Sequence, residues 1–261
     1  MKFFQKKSPW EKEWELLLRK EVKFLKNREE KKESLLNQKL AETVPERLQE
    51  TLDGAFAKAF YMVFEKGTGV IEKTYRKEEL EKNYEINKFI DATKKTRKSL
   101  KRFSKQAEYA ENKNILLSGA SGIGMGALGI GLPDIPVFTG MILKNIYEIA
   151  LSYGYKYDTE EEQFFVLKVI EGAVSYSEDM LMINKELETY IKCNELPIGY
   201  SKEEQIIRTA NALSRELLYM KFLQGIPIVG AVGGAFDVVY MKQISEYARI
   251  KYKKRFLKDS K

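Results

Sequence analysis

The chain has 261 residues, enough for one sizeable core, and 44% of them are hydrophobic while 32% are charged; this describes a folded protein with long solvated helices and excludes a disordered one. Histidine is absent and Cys193 is the lone cysteine, which excludes Ser-His-Asp and Cys-His triads, histidine zinc sites and an internal disulfide. Lys and Arg number 45 against 38 Asp and Glu, and the net charge of +7 favours an anionic partner.

Met1 to Lys7 is basic but runs into Glu11, Lys12 and Glu13 rather than into an apolar run of signal-peptide length, so a cytoplasmic protein in a reducing compartment is expected. Ser8-Pro9-Trp10-Glu11 has the capping serine, first-turn proline and acidic residue of a helix start. Trp10, Trp14, Leu17, Leu18, Val22 and Leu25 then recur at helical spacing, and the pattern predicts one amphipathic helix from residue 9 to about 38. Residues 1–40 are set apart as a charged amino-terminal helix, and residues 41–261 as the main helical domain. The next helix starts near Val44-Pro45, buries Leu48, Leu52, Phe56, Ala59, Phe60 and Val63, and ends at Gly67 and Gly69.

Residues 70–112 are helical by propensity, with Tyr75, Leu80, Tyr84, Phe89, Leu100 and Phe103 as core candidates. No acidic residue lies between Asp91 and Glu108, whereas Lys94, Lys95, Arg97, Lys98, Lys101, Arg102 and Lys105 crowd into that window. Such a run is either a solvated face or a surface that holds acidic lipid headgroups.

From Asn114 to Leu143 the chain reads NILLSGASGIGMGALGIGLPDIPVFTGMIL, and Asp134 is its one charged side chain. Pro133 and Pro136 divide it, which predicts a helical hairpin turning near residues 131–135. Gly124-Met125-Gly126-Ala127-Leu128-Gly129 fits G-x-G-x-x-G, yet prolines interrupt the following helix and no second strand is visible, so a dinucleotide cradle is disfavoured. Gly122, Gly126 and Gly131 fit better as residues that let helix backbones approach closely.

Thr159-Glu160-Glu161-Glu162 reads as a capping box opening a helix through Ile170. Met180 to Ile191 is helical, and Ser201-Lys202-Glu203-Glu204 opens another helix with Ile206, Ile207, Ala210, Leu213, Leu217 and Met220 at core spacing. Residues 222–241, FLQGIPIVGAVGGAFDVVYM, again hold a single charge, Asp237, with Gly230 and Gly234 as close-packing candidates. A membrane span over this segment has the required length, but a mid-membrane aspartate costs about 2.5–3.5 kcal/mol. The tail is basic once more, with Lys251, Lys253, Lys254 and Arg255 joining the 94–105 run as candidate lipid-headgroup ligands. Three readings of Asp134 and Asp237 stay open: a helix cap and an ion-paired carboxylate, a proton-sharing dyad, or a ligand site.

The glycines after Gly119, then Leu132-Pro133-Asp134-Ile135-Pro136, Ile149-Ala150, Tyr153-Gly154 and Tyr157-Asp158, together with Ile226 to Asp237, resemble the EcsC protein family over roughly residues 50–250. The resemblance implies a bacterial protein whose founding relative is encoded beside the ATPase and membrane subunits of an ABC transporter. It carries no catalytic residues to this chain. The expected protein is therefore an all-α multi-helix bundle with two glycine-rich apolar helical hairpins and no cofactor or metal. Its expected role is that of an accessory or regulatory protein at an anionic membrane surface, with ABC-transporter subunits as candidate partners. The alternatives are a soluble carrier of an apolar ligand or a carboxylate-dependent hydrolase. A nucleic-acid partner is disfavoured, since the basic runs lack interleaved aromatics.

Overall fold

The structure is a computed structural model that describes residues 7–29, 46–66, 68–126, 134–223 and 233–261; the side chains of residues 29, 48, 66, 70, 115–126, 134, 217–223 and 233–237 lie outside that description. Every regular element among the described residues is a helix. In chain order these are α1 (Pro9–Glu29), α2 (Glu46–Lys66), α3 (Gly69–Glu72), α4 (Lys77–Lys94), α5 (Arg97–Gly126), α6 (Asp134–Ser152), α7 (Glu160–Val174), α8 (Ser177–Cys193), α9 (Lys202–Leu223) and α10 (Gly233–Asp259). The turns of the two expected hairpins, residues 127–133 and 224–232, fall outside the described residues.

Local chemistry sets the helix starts. At α1 the Ser8 amide donates to the Glu11 carboxylate at 2.7 Å and the Glu11 amide donates to the Ser8 hydroxyl at 3.1 Å, which completes the expected capping box. At α7 the Glu162 amide donates to Thr159 Oγ1 at 3.3 Å, but the Glu162 side chain does not return to the cap. It turns into the core, where it accepts from Tyr252 and Arg255, each at 2.6 Å.

α7 is buried on every face from Glu162 to Val174, as a helix enclosed by others must be. It packs against α8, α9 and α10, while α6 and α10 pack on α5. Aromatic pairs fill the space between them, including Tyr147 stacked on Tyr157 with ring centroids 3.9 Å apart and Phe103 against Phe256 at 4.5 Å.

Cross-helix contacts fix the directions of the helices. Ser104 meets Tyr153 and Asn114 meets Asn145, so α6 runs antiparallel to α5. Phe103 meets Phe256, and Glu108 meets Arg249, so α10 does too. Tyr240 donates to Glu216 at 2.9 Å, which pairs the start of α10 with the end of α9.

Three expected core residues point outward. Val22 is exposed on α1, Phe89 on α4 is 74% exposed, and Ile207 is exposed on α9. The inner face of α1 is instead Glu13, Leu17, Glu21, Phe24 and Arg28, all buried, at the i, i+4 and i+3 spacing of a single stripe. Leu17 and Phe24 belong to the same apolar cluster as the rest of the bundle, so α1 is built into the core rather than appended to it.

Gly154 follows α6 with φ +84°, and a Cβ there would collide with the Tyr84 ring. Gly199 has φ +75° with nothing nearby. Gly154→Ala should therefore lower the unfolding free energy by about 2–4 kcal/mol and Gly199→Ala by only about 1 kcal/mol, as read from urea midpoints at constant slope.

Candidate functional site

The two basic runs that the sequence offers as headgroup ligands have opposite fates. In the carboxy-terminal run Lys251 is 0% exposed and bonds Glu21 at 2.5 Å and Glu188 at 2.6 Å. Lys254 bonds the same two carboxylates at 2.5 and 2.8 Å, which closes a ring of four charges between α1, α8 and α10. Lys253 bonds Glu13 at 2.7 Å, and Arg97, from the other run, shares that carboxylate at 2.6 Å. Arg255 bonds Glu162 and lies over the Tyr155 ring at 4.1 Å. Lys251, Lys254 and Arg255 are therefore internal, and lipid phosphates do not reach them. The reason is a set of inward-facing carboxylates, Glu13 and Glu21 on α1, Glu162 on α7 and Glu188 on α8, which supply the partners.

Burial alone would raise the Glu188 carboxyl, but Lys251 and Lys254 pull it down to about 2. Removing one acid of this ring leaves two buried ammonium groups underpaired. Glu21→Ala should cost about 3–5 kcal/mol, measured by urea denaturation at neutral pH.

The run on α4 and α5 remains outside. Lys94, Lys95, Lys98, Lys101, Arg102 and Lys105 are all exposed. The helices meet in a tight corner in which Lys95 takes the left-handed conformation with φ 44°, and its amide donates to the Asp91 carbonyl at 2.8 Å. Thr96 and Ser99 cap each other, with the Thr96 amide donating to Ser99 Oγ at 3.0 Å and the Ser99 amide to Thr96 Oγ1 at 3.1 Å.

The charge-poor segments lie at the other end of α5. Gly122 and Gly126 are in the last turns of α5, Gly234 is in the first turn of α10, and Gly131 and Gly230 lie outside the described residues. Asp134 is the first residue of α6 and Asp237 sits early in α10, with both side chains outside the description. The register aligns the helix ends: α5 ends 12 residues past Asn114, and α10 begins 12 residues before Ser245. Both ends therefore finish about 18 Å beyond the level of Asn114 and Ser245. α6 and α9 reach the same end by their pairing with α5 and α10. Val137 and Val239 are exposed there.

At the root of this end lies a buried polar layer that the sequence did not announce. Asn114 on α5 contacts Glu148 and Asn145 on α6, and Asn145 in turn contacts Ser245 on α10. Asn145 and Glu148 are three residues apart on one inner face, a spacing that marks a shared face but not its burial. Burial pushes the Glu148 carboxyl up, against the hydrogen bond from Asn114 and the charges of Lys144 and Lys113. Asn114 Oδ1 itself has no hydrogen-bond partner.

A carboxyl raised in the folded state contributes stability that is complete below its unfolded value and is lost as pH rises through the folded value. Glu148→Gln keeps the neutral hydrogen-bonding shape. The variant should therefore melt roughly 2–4 °C above the wild type at pH 8, with the gap closing by pH 4, as followed by circular dichroism.

Among the described residues no cluster of three or more His, Cys, Asp or Glu could hold a metal, and no helix is long and apolar enough to cross a membrane. A cleft of about 400 Å³ beside Tyr84 is lined by Glu78, Glu81, Lys82, Glu85 and Lys156, a wall too charged for an apolar ligand.

The model of a family described as the EcsC protein family matches residues 11–257, a range that takes in most of α1. The chain is 26% identical over 147 residues to Protein EcsC of Bacillus subtilis (strain 168), covering 55% of this chain and 59% of that one. It is 26% identical over 133 residues to Uncharacterized protein YdbA of the same organism, covering 51% of this chain and 49% of that one. The chain thus spans about half the length of these curated relatives. No solved structure matches.

Proposed function

Because the chain belongs to the EcsC protein family, we propose that it is an accessory or regulatory protein that works at the cytoplasmic face of a membrane, with the subunits of an ABC transporter as candidate partners. The observation that carries the reading is the gathering of four helix ends, from α5, α6, α9 and α10, at one end of the bundle. Their sequences are nearly free of charge, and Val137 and Val239 are exposed there. Water has little to solvate on such a surface, so an apolar neighbour stabilises it. The exposed basic run adds attraction to anionic headgroups. No reaction is part of the proposal, since the chain has no histidine and the buried carboxylates described above are held by cations, amides or tyrosine hydroxyls.

Flotation of the full chain with vesicles tests the reading. The protein should rise with phosphatidylglycerol vesicles at low salt and to a smaller extent with phosphatidylcholine vesicles. A protein that stays at the bottom of the gradient with both would overturn it, and an apolar ligand retained in native mass spectrometry would then favour the carrier role.

A further inference from the structure

The corner between α4 and α5 joins two features that neither its sequence pattern nor the family match connects. Phe89 is 74% exposed and Ile86 is 43% exposed, three residues apart on α4, so they share an outward face. Further along, at the end of α4 and on α5, the cations are free: among the described residues, Lys94, Lys95, Lys98, Lys101 and Lys105 have neither an ion pair nor a hydrogen bond from their side chains. Arg102 donates only to Asn87, at 2.7 Å, which fastens α5 to α4. The exposed carboxylates of α4, Glu78, Glu79 and Glu85, all precede Ile86, and Asp91 accepts from the Ser99 hydroxyl at 2.5 Å. Past Asp91 no acid occurs until Glu108.

The corner is also firmly built, by the Thr96 and Ser99 caps and by the Asn87–Gln106 bond at 3.0 Å, so the ring and the cations are presented without an ordering cost. An exposed phenyl ring on α4 and flexible ammonium groups at the turn into α5 suit the boundary between phosphates and acyl chains, where the ring leaves water and the ammonium groups stay at the phosphates.

We propose that the α4–α5 corner docks on an anionic phospholipid bilayer, with Phe89 and Ile86 entering the headgroup layer and Lys94, Lys95, Lys98, Lys101, Lys105 and Arg102 resting on lipid phosphates. The proposal rests on the membrane-associated reading above and adds where the protein docks and through which chemistry. The docking corner and the glycine-rich helix ends are separate surfaces, since Lys98 and Gly122 are 24 residues apart on one helix, about 36 Å. Charge dependence tells them apart.

The experiment is flotation of the full chain with phosphatidylglycerol or phosphatidylcholine vesicles over a salt series. It compares wild type, Phe89→Ala, Phe89→Trp and the quadruple variant Lys94→Gln, Lys95→Gln, Lys98→Gln, Lys101→Gln. Phe89→Ala should weaken binding to phosphatidylglycerol about tenfold, Phe89→Trp should restore it, and the quadruple variant should lose more than about 100-fold together with most of the salt dependence. Melting temperatures should not change, because all five positions are exposed.

If the variants bind as the wild type does, or if wild type binds both vesicle types equally, docking occurs elsewhere; the corner is then wrong while membrane association stands. If wild type floats with neither, both proposals fall. Lysine-dependent binding to duplex DNA without vesicle binding would assign the corner to nucleic acid and overturn the proposal.

Discussion

Four buried charges, Glu21, Glu188, Lys251 and Lys254, tie α1 and α8 to the last turns of α10, and the arrangement of the bundle depends on their being satisfied together. An ammonium group withdrawn from water is tolerated only when carboxylates replace its hydration, and each lysine here has two. Shape adds to this match: Trp10 Nε1 donates to the Leu257 carbonyl at 2.7 Å, and Phe24 stacks on Tyr247 with centroids 4.9 Å apart. Polar and apolar contacts on α1 therefore select the same seat on α10. The same pairing withdraws one basic run from solvent and leaves the other, at the α4–α5 corner, exposed.

Helix identities were largely legible in the sequence, because caps and apolar spacing are local. Ser8 with Glu11, the Thr159 side chain and the run from Leu52 to Phe60 all do what their spacing implies. The inner face of α1 was hidden, since apolar periodicity ignores Glu13, Glu21 and Arg28. Glu162 was misread for a related reason: a carboxylate three residues after a threonine suits a cap, and only the fold brings Arg255 to it. At the candidate surface, the one-signed composition of residues 94–105 was visible. Which basic run stays free was not, because the partners of Lys251 lie 63 and 230 residues away in sequence. Phe89 was assigned to the core because an aromatic residue in a helix usually lies there; its exposure is a property of how α4 sits on α5.

The glycine-rich segments illustrate a different kind of information. Their lack of charge is written in the sequence, but the gathering of the helix ends that flank them follows from the antiparallel register of α5, α6, α9 and α10. That register is pinned by polar contacts, with Asn114, Asn145 and Ser245 at one level and Glu216 with Tyr240 nearer the apolar end. In a core this apolar, hydrophobic packing alone would tolerate sliding of one helix past another. Buried amides and carboxyls accept one alignment only, since any other leaves them without partners.

α10 runs without a break from Gly233 to Asp259, a rod about 40 Å long. One tip begins at Gly233, Ser245 lies near its middle, and Lys251 and Lys254 near the other tip are clamped by carboxylates. A single unbroken helix thus spans the distance, roughly 30 Å, between its charge-poor first turn and the seat of α1.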